Sequence, residues 1–278
     1  MALSIQTNVA SLNAQKNLFQ TQEKLSSSLS RLSSGFRITK AGDDAAGLGV
    51  SQNLIAQIRS YGQAVRNAQD GVSVVQTTEG ALQETGNILT RMRELAMQSA
   101  SDGIGNSERA YVQTEATALT NEIDRIAQTT EFNGTKMLNT AATTLDFQVG
   151  IRNSAGGNDK ISITSADATS ATLGVDTGTL DFSTKAGAQA ALTAIDTAIG
   201  SVSNTRSGFG SVGNRLQSVI STIQNASENI SAANSRIRDV DVAEESSMMS
   251  RANVLLQAGV SVLAQANQAP QLALKLLG

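Results

Sequence analysis

The run LQSVISTIQNASENISAANSRIRDV, residues 216–240, decides the fold. Leu216, Ile223, Ile230 and Ile237 recur at intervals of seven, and Val219, Ala226, Ala233 and Val240 recur at the same interval three places on. That is the a/d seam of a helix packed lengthwise on another. The remaining positions are mostly Ser, Asn, Gln and charged residues, with Ile220 the one large apolar exception. Helices rich in Ser and Asn have poor intrinsic propensity, so a run of this length requires a partner along its thin apolar edge.

The same period occurs earlier in the chain. A helix expected from about Ala45 to about Ala100 carries Ile58, Val65 and Val72 in one row and Tyr61, Ala68, Val75, Leu82 and Leu89 in another. At ~1.5 Å per residue, about 50 residues span roughly 75 Å. Ser101 to Asn106 has the turn chemistry of a loop, and Ser107 followed by Glu108 suits the start of the next helix. There Val112, Leu119 and Ile126 repeat by seven, with Ala116 and Ile123 four beyond the first two. These rows are the candidate intrachain partners of 216–240.

Before them, Ile5, Val9, Leu12, Leu18, Phe19, Leu25, Leu29 and Leu32 make a first helix with one phase slip, fading at Ser33, Ser34 and Gly35. A connector follows to Asp43 or Asp44, either of which suits a helix cap. Phe132-Asn133-Gly134 closes the third helix. Leu145 to Ile151 and Lys160 to Thr164 alternate apolar and polar around the Gly-rich 153–158, the signature of a β-hairpin. Residues 165–186 have few large apolar side chains and read as a small exposed excursion. Helical pattern resumes near Ala188 with Leu192, Ile195 and Ile199, is interrupted at the glycines of 207–213, and leads into the seam. Asp241 with Glu244 resembles a capping box for a final helix. Between Arg251 and Lys275 that helix has no charged side chain, and at the other end of the chain the first is Lys16. Uncharged Ala- and Leu-rich helices are an association liability on a monomer, so the two ends are expected to pack on each other and then on neighbouring subunits.

The 278 residues include 3% aromatics, one Pro and no Trp, a mix that favours long, thin helical packing over a thick core. A net charge of −3 gives no basic field toward nucleic acid or an anionic membrane. No stretch has the length of apolar sequence a transmembrane helix needs, and the N-terminus lacks the basic and apolar regions of a cleaved signal. With no Cys and no His, thiol nucleophiles, Ser-His triads and thiolate or imidazole metal sites are absent. Asp43-Asp44 and Glu244-Glu245 are the adjacent carboxylate pairs, explained by capping and first-turn charge. Gly103-Ile104-Gly105 and Gly208-Phe209-Gly210 read as glycine-rich turns without the Lys of a phosphate loop. Met248-Met249 suits interface volume. No catalytic residue, cofactor or metal site is expected.

The surface stretch that stands out is Arg91-Met92-Arg93-Glu94-Leu95-Ala96. Arg91 and Leu95 share a helix face, and Glu115 comes beside them if the two helices pack antiparallel. From spacing, this is either a binding face or an ordinary solvated face with an intrachain ion pair.

Several stretches together resemble bacterial flagellin. They are Ser4 to Val9, Leu29 to Gly35, Asp43 to Gly47, Gln76 to Leu82, Arg93 to Ala96, Glu131 to Gly134, Ser235 to Asp241 and Ala258 to Gln268, covering residues 1 to about 140 and about 187 to 278. The resemblance implies a mainly α subunit, a long antiparallel helical bundle and coiled coil with a small β-hairpin. Residues 1–43 and 240–278 would pair as an inner coiled coil, 44–140 and 187–239 form a helical shell, and 141–186 hold the hairpin and a reduced surface-exposed segment. It implies a helical homopolymer, the swimming filament, or alternatively the junction protein between hook and filament. It further implies type III export without signal cleavage, an export chaperone on the C-terminal helix, contacts with filament cap and hook-junction proteins, and host flagellin receptors. Arg91, Leu95 and Glu115 match family positions contacted by a Toll-like receptor and used in subunit packing. Leu274, Leu276 and Leu277 match terminal leucines read by cytosolic sensors, with Gly278 where relatives often carry Arg.

Overall fold

The structure, a computed structural model, describes residues 7–139, 143–152 and 157–277, with side chains through 268. Among these residues lie six helices and two two-stranded antiparallel sheets. The chain divides into two compact units. One is formed by Met1–Ile58 and Glu228–Gly278, the other by Arg59–Ser227.

In the first unit, α1 (Val9–Ser34) runs antiparallel to α6 (Val242–Leu277). The Asn8 amide donates to the Ala266 carbonyl at 2.8 Å, Leu18 lies against Gly259, and Arg31 approaches Glu245 at 3.7 Å, so rising numbers on one helix meet falling numbers on the other. The helices come close at Gly259: a Cβ there would lie 3.0 Å from Leu18 Cδ1, so a larger residue would need the Leu18 tip to give by a few tenths of an ångström. The facing rows are Ser11, Ala14, Leu18, Thr21, Leu25 and Ser28 on α1, and Ala252, Leu256, Gly259, Leu263 and Ala266 on α6. Both follow heptad spacing. The phase slip in the first helix now has a physical meaning. Leu18, Leu25 and Leu32 belong to this inner row, while Val9, Leu12, Phe19 and Leu29 lie on exposed surface of the helix.

Helix α1 ends at Gly35, whose φ of 73° is the left-handed conformation that terminates helices at little cost only in glycine. The next residues are stitched to the end of α5 (Lys185–Arg238). Phe36 bridges Asp239, the Arg37 N–H donates to the Arg238 carbonyl at 2.7 Å, and the Arg238 guanidinium lies 4.1 Å above the Phe36 ring. The two adjacent carboxylates of the connector divide their roles. Asp44 caps α2 (Ala45–Ser99) by accepting from the Gly47 N–H at 2.8 Å. Asp43 accepts from the N–H groups of Lys40 and Thr39 and from the Thr39 hydroxyl, closing the loop.

In the second unit, α2 and α5 are antiparallel. Arg93 pairs with Asp196, Arg206 with Glu79, and Gly71 lies against Leu216. The seam that opens at Leu216 therefore finds its partner in the same chain, where Leu216, Ile220 and Ile223 are all buried. Helix α5 is unbroken through the glycines expected to interrupt it. Gly208-Phe209-Gly210 is helical, because Phe209 is buried in the core and supplies the packing its glycine neighbours lack. On α2, the row Ala68, Val75, Leu82 and Leu89 is buried as its spacing predicts. A second buried row, Ala64, Gly71, Thr78, Thr85, Met92 and Ser99, also repeats by seven. Thr78 and Thr85 enter the core because their hydroxyls donate to the carbonyls of Val74 and Ala81, one turn back.

Helix α3 (Asn106–Thr129) ends before a tight hairpin, β1 (Glu131–Phe132) with β2 (Thr135–Lys136). Asn133 (φ 49°) and Gly134 (φ 78°) take the two positive-φ positions of the turn, so Asn133-Gly134 turns a hairpin and the helix has already ended at Thr129. The larger hairpin, β3 (Thr144–Gln148) with β4 (Lys160–Thr164), pairs Phe147 with Ile161 and Leu145 with Ile163. Asn67 fastens it to α2 by donating to the Gln148 carbonyl at 2.9 Å.

The 165–186 segment is not the exposed excursion its composition suggests. Its few large apolar residues turn inward, with Val175 and Phe182 completely buried and Leu173 and Leu180 nearly so, around the short helix α4 (Ser170–Leu173). Polar side chains of α3 hold its backbone. Asp124 accepts from the N–H and hydroxyl of Ser170, the Thr120 hydroxyl donates to the Val175 carbonyl, and the Gln113 carbonyl oxygen accepts from the Phe182 N–H.

Candidate interface surfaces

Among the described residues there is no cluster of three or more metal-ligating side chains and no helix long and apolar enough to cross a membrane. The adjacent carboxylates are engaged in structure. Asp241 caps α6, accepting from the N–H groups of Ala243 and Glu244, while Glu245 is buried against Arg31.

The feature left unsatisfied is apolar. On α1, Val9 and Phe19 are 62% and 65% exposed, and Leu12 and Leu29 about as open. On α6, Val254 is 65% exposed, with Leu255, Val260, Val262 and Met248 alongside it in sequence and also open. From 252 through 268 only Ala252 is buried. Each helix therefore uses one narrow row on the other and leaves further apolar side chains in solvent. Apolar surface on that scale, with no charge among residues 252–268 to keep it apart from other copies, marks a contact surface.

In the second unit, Arg91, Leu95 and Glu115 separate by depth. The Arg91 Nη2 lies 2.8 Å from Glu115 and its Nη1 3.0 Å from Glu94, with all three side chains substantially exposed. The hydrogen bonds the guanidinium donates to Glu115, and then to Glu94, favour its charged form and raise its pKa above the ordinary arginine value. Leu95 is 1% exposed. It does not share the solvent face with Arg91, because a four-residue step on a helix this closely packed turns far enough to bring the side chain onto the core. The antiparallel approach of α2 and α3 brings Arg91 to Glu115, and it buries Leu95 beneath them. Leu274, Leu276 and Leu277 lie on the backbone of α6, with side chains outside the described residues.

Two polar devices hold this end of the second unit and had no periodic signal. Arg109 is buried on α3 and donates to the carbonyls of Ser99 and Ser101 and to Asn106. It caps the C-terminal end of α2, where carbonyls lack helical partners and a positive charge is favoured. Asp181, just before α5, accepts from Ser183 and Thr184, and these bonds, the Ser183 hydroxyl foremost, hold its carboxyl below the usual range.

Residues 5–143 match the bacterial flagellin N-terminal helical region and residues 192–277 the bacterial flagellin C-terminal helical region. A flagellin of Halalkalibacterium halodurans is 43% identical over 273 residues, covering 98% of this chain and 99% of its own length. Flagellin C of Vibrio cholerae is 35% identical, with the whole of both chains covered. Among solved structures, Bacillus cereus flagellin aligns with a TM-score of 0.50 at 34% identity, covering 61% of this chain and 94% of that one. A putative flagellar hook-associated protein of Vibrio parahaemolyticus aligns with a TM-score of 0.59 over 71% of this chain and all of that one. Its 15% identity makes that a likeness of fold alone.

Proposed function

The chain belongs to the bacterial flagellin family, and on that premise we propose how its surfaces divide the work of a filament subunit. It is a structural protein that polymerises into the bacterial flagellar filament, outside the cell. The observation that carries the assignment of surfaces is the exposed apolar side chains of α1 and α6, present on helices already paired with each other. In the polymer these side chains are covered by α1 and α6 of neighbouring copies, forming the inner layer, and the second unit forms the shell.

The same exposure supports a partner before assembly. An export chaperone covers the uncharged end of α6, and the subunit leaves through the flagellar type III apparatus to add beneath the filament cap and beyond the hook-junction proteins. Arg91 and Glu115 serve as a polar contact on the shell, used between subunits in the filament and by a host Toll-like receptor on the free subunit. Leu95 supports that face from beneath. Leu274, Leu276 and Leu277 are the residues offered to a cytosolic sensor.

The test is elongation. Purified chain added to short filament seeds should give filaments by negative-stain electron microscopy, with seeds lengthening in proportion to the chain supplied. Seeds of constant length beside soluble monomer would overturn the assignment.

A further inference from the structure

Met248 is the chemically convertible member of the apolar surface that α1 and α6 leave open. The other large side chains exposed there are valine, leucine and phenylalanine hydrocarbon. The chain has no Cys, His or Trp. A thioether stands apart from them because a mild oxidant turns it from a flexible apolar group into a polar, chiral sulfoxide. Of the other methionines, Met92 and Met137 are completely buried, and Met97 is 55% exposed against 44% for Met248. Met97 belongs to the second unit and Met248 to the first.

The surroundings of Met248 favour the oxidised form. With Lys24, Arg31 and Arg251 it lines a recess of about 450 Å3 between α1 and α6 that also takes in Ala252 and Leu255. Among the described residues Lys24 and Arg251 form no ion pair, and the Arg31 Nε is buried without an acceptor. Arg31 reaches Glu245, which lines the same recess, only at 3.7 Å, and Asp43 only at 3.9 Å. The recess therefore offers N–H donors to an acceptor that the thioether, a weak one, does not supply. A sulfoxide oxygen supplies it, and the side chain is drawn toward the cations and away from apolar contact.

On the filament assignment above, we propose that Met248 is a reversible oxidation site that decides whether a free subunit can join the inner layer. The oxidant is a peroxide. The Met248 sulfur lone pair attacks one peroxide oxygen as the O–O bond breaks, the S–O bond forms, and the departing hydroxide takes up the remaining proton as water. Sulfur is oxidised by two electrons and the peroxide is reduced by two. A sulfoxide reductase with a dithiol reverses the change, giving thioether, disulfide and water. The oxidised subunit keeps its fold, since the core methionines are out of reach, but presents a polar oxygen where a neighbouring copy requires hydrocarbon.

The experiment treats isotope-labelled free subunit with a limited dose of hydrogen peroxide, removes the peroxide with catalase, and then adds wild-type seeds. Tandem mass spectrometry reads the sulfoxide at each methionine in the labelled chains of the pelleted filaments and of the supply, and circular dichroism follows the helices. Met248 sulfoxide should be at least about tenfold scarcer in the filaments than in the supply, because incorporation buries its oxygen. Met97 sulfoxide should enter at close to its supplied fraction. Peroxide should cut wild-type elongation to about a tenth of the untreated rate, while Met248→Leu, which lacks the sulfur, should keep more than about half of its own untreated rate. Reductase and dithiothreitol should restore the wild type. Met248 sulfoxide depleted no more than Met97 sulfoxide, a Met248 that stays a thioether while Met97 is converted, or a Met248→Leu chain slowed by peroxide as much as wild type would overturn the proposal. Untreated wild-type chain that fails to elongate would instead remove the filament assignment beneath it.

Discussion

The Nε of Arg109 donates to the carbonyl of Ser99 at 2.9 Å, joining the first turn of α3 to the last residue of α2. The same guanidinium reaches the Ser101 carbonyl at 2.8 Å and the Asn106 side chain at 3.0 Å. Replacement by Ala leaves buried carbonyls without a donor at a helix end. Arg109→Ala should lower the stability of the monomer by about 2–3 kcal/mol in urea unfolding. A loss under about 0.5 kcal/mol would mean that water replaces the guanidinium without cost.

Gly71 sets the distance between three elements. A Cβ at this position would lie 3.2 Å from Leu216 Cδ1 and 3.3 Å from Phe147 Cγ, so α5 and the hairpin both approach α2 there. In Gly71→Ala the gain in helix propensity, about 1 kcal/mol, offsets mild crowding against a movable Leu tip. Gly71→Val has no such room and should cost about 1–3 kcal/mol. Thermal melts of both variants check the ordering, and equal stability would show that the three elements separate easily.

Leu95 and Arg91 predict opposite phenotypes despite their spacing. Leu95→Ala opens a cavity in the core and should cost about 2–5 kcal/mol. Arg91→Ala and Glu115→Ala should leave the unfolding midpoint unchanged, because their ion pair is solvent-exposed. Denaturant curves of the three monomers decide this, and a Leu95→Ala midpoint equal to wild type would move Leu95 to the surface.

Asp181 gives stability with a defined acid limit. Its hydrogen bonds from Ser183 and Thr184 place its folded pKa below the ordinary 3.8. The unfolded chain therefore binds more protons in that range, and the contribution is complete above about 3.8 and lost as pH falls through the lower folded value. The stability gap between wild type and Asp181→Asn should stay constant from about pH 7 to pH 5 and narrow below about 3.8. A gap that narrows near neutrality would contradict the capping role.

What the sequence disclosed follows from which residues carry a repeating signal. Leu216, Ile223, Val75 and Leu82 are large and apolar, so their sevens are visible, as is the extent of α2. The row through Gly71, Thr78, Thr85 and Ser99 repeats just as strictly and is just as buried. It is hidden because small and hydroxylated residues do not register as core until their backbone hydrogen bonds are seen. The burial of residues 165–186 is hidden for a related reason. Val175 and Phe182 are too sparse to form a pattern, and their burial depends on Gln113, Thr120 and Asp124 from a distant helix. Spacing gives Leu95 and Arg91 a shared helix side but not the depth at which each lies. The exposed apolar surface of α1 and α6, by contrast, was announced by the absence of charge.

The most direct test of the account is deletion of residues 252–278, followed by seeding and sedimentation beside the full-length chain. The account predicts that the full chain pellets as filaments while the truncated chain stays in the supernatant with most of the helicity of residues 44–239 retained. Pelleted filaments from the truncated chain, indistinguishable from those of the full chain, would contradict it.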